Sequence, residues 1–105
     1  MKDDALYVDQ IVDAIAKIET FTHGVSRDEF FQNQEKQSAV IMQLAIIGEL
    51  SKRLSEKFRQ RVALPWREIA GFRDRAIHDY FSLDISGVWQ TIQDDIPLLR
   101  KKLTE

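Results

Sequence analysis

The chain has 105 residues, 44% of them hydrophobic and 30% charged, and this length sets an expectation of one domain, residues 1–105, around one core. Fifteen basic against seventeen acidic side chains leave a net charge of −2, which argues against coating nucleic acid by bulk electrostatics; the lack of cysteine excludes disulfide scaffolds and thiolate zinc sites. No apolar run follows a basic head at Met1-Lys2-Asp3-Asp4, and the longest apolar tract, Ala39–Gly48 broken by Gln43, is far below the ~20 residues of a membrane span, so a cytoplasmic protein with no membrane contact is expected.

Four glycines and two prolines punctuate the chain, and apolar residues recur at spacings of three and four, which predicts an all-α fold. A first helix is predicted from about Asp3 to Thr22, with Tyr7, Ile11, Ala14, Ile15, Ile18 and Phe21 on one stripe and Gly24 as its C-terminal cap. Ser26-Arg27-Asp28-Glu29 has capping-box spacing and starts a short helix ending near Phe31. The longest helix is predicted from about Asn33 to Arg59. Val40, Leu44, Ile47, Leu54 and Phe58 form its seam, interrupted by Ser51, while Ile41, Ala45, Ile46 and Leu50 lie on other faces. Such a helix must be covered on two sides, by a second copy of the chain or by a central place in one bundle. Pro65 suits the first position of a fourth helix, running to about His78 or Tyr80, and a fifth spans roughly Asp84 to Leu103 with a bend at Pro97. Four main antiparallel helices with a short extra one make an up-and-down four-helix bundle.

Charge is unevenly spread. From Met1 to Glu35 there are eight acidic and three basic residues, whereas Lys52 to Arg75 carries eight basic residues against three acidic ones. The middle of the chain is either a set of solvated helix faces or a phosphate-contacting surface. The predicted inward stripe of the fourth helix is Trp66, Ile69, Arg73, Ile77 and Tyr80, which places a guanidinium among core positions. Arg73 would then be pinned by a carboxylate or line a cleft for an anion. Asp74 and His78 stand four apart, close enough for the carboxylate to fix the imidazole tautomer and leave the other ring nitrogen free for proton transfer. Common structural roles compete with each of these readings, and His23, beside Gly24, suits a capping role. Asp9 and Asp13 share a face that could hold magnesium, although solvation explains them equally. Glycine-rich phosphate loops, Gly-x-Ser-x-Gly and His-Glu-x-x-His are all missing from the sequence.

The run Arg73-Asp74-Arg75-Ala76-Ile77-His78-Asp79-Tyr80 resembles the signature of HEPN-domain proteins, in which an arginine and a polar residue precede His-x-Tyr. The flanks, Pro65-Trp66-Arg67-Glu68-Ile69, Val88-Trp89 and Asp95-Ile96-Pro97, are similar to the HepT branch, toxins paired with a minimal nucleotidyltransferase antitoxin in a type VII-like system. Asp74 departs from the asparagine more usual there. The resemblance implies a HEPN-like bundle that dimerises so that two Arg-His sets face one cleft, and a metal-independent endoribonuclease without cofactor. Arg73, His78 and Asp74 would be catalytic, Arg67 and Arg75 would bind RNA, and Tyr80 would accept AMP from the antitoxin. A shared cleft would also ease a geometric difficulty, because Arg73 and His78, five apart, diverge by roughly 140° on a straight helix. The alternative is a non-catalytic helical partner, or substrate-presenting subunit, of a nucleotidyltransferase.

Overall fold

Apolar residues one turn apart make α1, Lys2–Thr22, whose Ile11, Ala14, Ile15 and Ile18 are buried while Asp3 and Asp4 complement the positive end of the helix dipole. The computed structural model describes residues 2–77 and 82–105. After α1 the chain turns at Gly24, whose φ of +69° is a left-handed conformation open to glycine without steric cost. The capping box then starts α2, Arg27–Gln32: Glu29 N–H donates to the Ser26 hydroxyl, and Ser26 N–H donates to the Glu29 carboxylate, which holds that carboxyl below its ordinary range. Two side chains of α3, Gln34–Arg53, fasten the preceding helices. Lys36 Nζ donates to the Phe21 carbonyl at 2.9 Å, a cation at the negative end of α1, and the buried Gln37 amide donates to the carbonyls of Phe30 and Phe31.

The long helix stops earlier than its periodicity predicts. Leu54 turns extended (φ −63°, ψ 142°), and Ser55 caps a separate α4, Glu56–Arg61, by accepting from Phe58 N–H. The cause is far away in sequence. One oxygen of Asp4 accepts the Ser55 amide at 2.8 Å and the other accepts its hydroxyl at 2.6 Å, which pulls the cap onto the start of α1. These bonds, the side-chain one foremost, lower the Asp4 pKa from its ordinary 3.8. A depressed carboxylate contributes stability above its unfolded pKa and loses it as pH falls through the folded value. Asp4→Asn should therefore lower the melting temperature at pH 7, with the gap from the unmodified chain closing as pH falls below about 4; an equal gap at pH 7 and pH 2 would remove the carboxylate from the account.

The remaining helices close the bundle. The fourth predicted helix is two segments, α5 (Trp66–Ala70) and α6 (Phe72–Ala76), kinked at Gly71. Both lie against α3, and Gly48 lets them approach: a Cβ there would stand 2.9 Å from the Ala70 carbonyl oxygen. The fifth predicted helix begins as α7, Ile85–Gln90, under an Asp84 cap, passes through a π-helical turn, Thr91–Asp95, and ends as α8, Ile96–Leu103. The Ile96 amide bonds to the Thr91 carbonyl, five residues back, so the expected bend at Pro97 takes the form of a wide turn just before it. Helix α8 returns to α1, where Arg100 holds Glu19 through two hydrogen bonds of 2.7 Å.

The result is an all-α bundle of four main helical runs, α1, α3, α5–α6 and α7–α8, with α2 and α4 as short connectors. Phe30, Leu44, Ile47, Phe72, Val88 and Ile96 lie at its centre. Ser51, the break in the α3 seam, is buried with its hydroxyl donating to the Ile47 carbonyl at 2.7 Å. On the outer face of α3, Met42 and Ile46 remain 60% and 37% exposed, so the bundle covers one side of that helix and leaves the other open. Among the described residues no helix is long and apolar enough to cross a membrane.

Candidate active site

Helix α6 carries the first two residues of the motif, but it turns a different face inward from the one its sequence pattern predicts. Ile69, Phe72 and Ala76 are buried, whereas the Arg73 and Asp74 side chains are 63% and 84% exposed. The misassigned stripe rested on Trp66 and Ile77. Trp66 belongs to the flank, where its indole N–H donates to the carbonyls of Arg59 (3.1 Å) and Val62 (3.0 Å), and Ile77 lies past the helix end. With both anchors removed, the Ile69-Phe72-Ala76 stripe is the regular one, and Arg73 needs no buried counter-ion.

The helix ends at Ala76, before the motif is complete. Ile77 is extended (φ −117°, ψ 105°) and forms a lone antiparallel bridge with Leu83, and the Asp84 amide donates to the Ala76 carbonyl at 2.6 Å. These contacts draw together the two strands of chain on either side of residues 78–81. His78 and Tyr80, the predicted proton-transfer group and AMP acceptor, lie outside the described residues, so the pairing of Asp74 with His78 has no structural counterpart here. A helix running to His78 or Tyr80 is nevertheless corrected: it stops at Ala76, and the straight-helix divergence of Arg73 and His78 no longer applies. Asp84 is a contributor to this region that sequence pattern alone does not single out. It is legible as a capping residue, since its carboxylate accepts Gly87 N–H at 2.9 Å, but the backbone bond to Ala76 is tertiary.

The charged residues near the motif differ in how firmly they are held. Arg73 Nη1 is 3.7 Å from Asp74 Oδ1, beyond hydrogen-bond length and open to solvent. Arg75 reaches Asp95 at 3.3 Å, with its guanidinium carbon 5.8 Å from the Phe72 ring, so one of the two predicted RNA-binding arginines has a carboxylate partner within the chain. Arg67 is exposed on α5. His23 and the α1 acids stand apart from this region: Asp13 pairs with Lys17 at 3.4 Å. Among the described residues no group of three or more acidic or histidine side chains is arranged to hold a metal ion.

A helical bundle whose last inner helix presents an exposed Arg-Asp pair, and then passes into a closed loop bearing His-x-Tyr, is of the HEPN class. The profile of the ribonuclease HepT-like family matches residues 11–105, and the chain belongs to that family, one of endoribonucleases. A probable ribonuclease HepT from Thermococcus cleftensis is 41% identical over 97 residues, covering 91% of this chain and 88% of that protein. A putative RNase from Caldanaerobacter subterraneus is 35% identical, covering 100% of this chain and 95% of its own length. A Methanocaldococcus jannaschii protein described as a gamma-glutamylcyclotransferase and putative RNase is 37% identical; the chain spans 46% of its length. No solved structure matches the chain.

Proposed function

We propose that residues 1–105 act as one HEPN-like domain, a metal-independent endoribonuclease in the cytoplasm that serves as the toxin of a type VII-like toxin-antitoxin pair. The observation that carries this reading is the exposed Arg73 on α6, immediately before the loop that holds His78, within a chain of the ribonuclease HepT-like family. His78 removes the proton of the ribose 2'-hydroxyl. The freed oxygen attacks the adjacent phosphorus, the bond to the 5'-oxygen breaks, and that oxygen takes up a proton as it leaves, giving a 2',3'-cyclic phosphate and a 5'-hydroxyl. Arg73 stabilises the charge that builds on the phosphoryl oxygens, Asp74 orients the imidazole, and Arg67 and Arg75 hold flanking phosphates. Two copies share the cleft. The exposed Met42 and Ile46 on the outer face of α3 support that assembly, because association would cover them.

Control comes from the phenol two residues past His78. A minimal nucleotidyltransferase antitoxin transfers AMP from ATP: the Tyr80 oxygen attacks the α-phosphorus, pyrophosphate leaves, and a phosphodiester with a bulky nucleoside then occupies the space beside Arg73 and His78. Coexpression with the cognate antitoxin should add AMP masses to the intact chain and none to Tyr80→Phe, while the purified, unmodified chain cleaves RNA in the presence of EDTA. No cleavage and no growth inhibition by the unmodified chain would give the role instead to a passive partner of the nucleotidyltransferase.

A further inference from the structure

The cations of this chain divide by whether an acid holds them. Lys17, Lys52, Arg73, Arg75 and Arg100 each stand within ion-pair distance of a carboxylate, at 3.4, 3.3, 3.7, 3.3 and 2.7 Å. Lys57, Arg59, Arg61 and Arg67, successive basic residues along α4 and the start of α5, form no such pair among the described residues. The corner they occupy is firmly built. The two hydrogen bonds of the Trp66 indole dock the end of α4 on α5, the Phe58 and Trp66 rings lie 6.1 Å apart, and the Arg61 guanidinium stands 5.3 Å from the Phe58 ring centre. Lys57 and Arg61, one helical turn apart, line a hollow of about 100 Å³ with Phe58 and Ser55. Asp4 borders it, but its oxygens accept from Ser55.

We propose that Lys57 and Arg61 grip the sugar-phosphate backbone of the RNA away from the scissile bond, and that Arg67 carries the strand from this corner toward Arg73. This rests on the ribonuclease reading above. Cations without carboxylate partners can turn to phosphate with no ion pair to break, and cations interleaved with aromatic rings suit a nucleic-acid strand better than an acidic protein. Arg67 and Arg73 are six residues apart, about 9 Å of helical rise, so the positive charge runs on from the corner to the motif.

The test uses the full chain carrying His78→Ala, so that RNA is bound and not cut. A fluorescent single-stranded oligonucleotide is titrated between about 50 and 200 mM salt, and the slope of log affinity against log salt is read. Adding Lys57→Ala and Arg61→Ala should weaken binding and flatten the slope by about 1.4, at roughly 0.7 for each single-strand phosphate no longer neutralised. The charge-matched Lys101→Ala/Lys102→Ala control should leave the slope alone. With His78 restored, the Lys57/Arg61 double variant should lose kcat/KM on a long RNA and keep it on a dinucleotide. An unchanged slope, or an equal change in the α8 control, overturns the proposal, as does intact RNA binding alongside abolished binding to polyglutamate, which would assign the corner to an acidic protein. Cleavage by the unmodified chain keeps the two readings separate, since its absence would sink the ribonuclease assignment first.

Discussion

Replacing His78 by alanine is expected to reduce RNA cleavage by about 10²- to 10⁴-fold, the range a positioned proton-transfer group contributes. Arg73→Ala should cost a comparable factor by removing charge stabilisation from the transition state, and the double variant should be little worse than either single one, because groups that act on the same step are not additive. Stability gives the control. The Arg73 side chain is 63% exposed and its nearest carboxylate, on Asp74, is 3.7 Å away, so truncation should shift unfolding free energy by no more than about 0.5 kcal/mol. Arg73→Lys is the sharper substitution: it keeps the charge but loses the planar fork, and it should restore only part of the activity. Initial cleavage rates on a defined RNA, read beside thermal melts, decide the matter. Cleavage that survives loss of both Arg73 and His78 would move the chemistry elsewhere on the chain.

The second large effect is structural. Gly48 sits in the middle of α3, where alanine would ordinarily be better by about 1 kcal/mol. Its missing Cβ, however, leaves room for the α5 backbone: the added atom would meet the Ala70 carbonyl oxygen at 2.9 Å and the Ile69 oxygen at 3.4 Å. Overpacking of this kind costs about 1–3 kcal/mol, so Gly48→Ala should be neutral to mildly destabilising. Gly48→Val brings two more methyl groups with less helical gain, and a net loss of about 2–3 kcal/mol, or roughly 10–20 °C in melting temperature, is expected. Because α6 continues from α5, the displacement should also carry Arg73 out of place and lower cleavage below the loss at other destabilising core sites. A Gly48→Val chain as stable as the original would mean that the two helices separate at no cost.

Local signals read well in this chain and distant ones did not. The Ser26–Glu29 box, the α1 stripe and the all-helical class follow from residues within a few positions of one another, and the structure reproduces them. The break between α3 and α4 was illegible because its cause, Asp4 bound to Ser55, spans 51 residues. Ser55 looks like any polar residue in a helix until that partner is known. The inward face of α6 failed for a related reason. Trp66 counts as core by composition, yet its indole N–H commits it to two carbonyls of α4, and with it gone the choice between Phe72 and Arg73 is plain. The motif itself was legible as a string of residue types, but the end of its helix at Ala76 depends on the Ile77–Leu83 bridge and the Asp84 amide, which no local pattern announces.

The π-helical turn at Thr91–Asp95 fixes the rotational phase of everything after it. Across this turn the chain fits one residue more than an α-helix would use, so Val88 before it and Ile96 and Leu99 after it all reach the same core. Removing one residue would restore an unbroken α-helix and spin α8 by about 100°. Leu99 would swing toward water, and Arg100 would lose its two bonds to Glu19. The turn therefore behaves as an inserted position that the bundle can no longer give back: related chains are free to vary the side chains along it, but not its length by one.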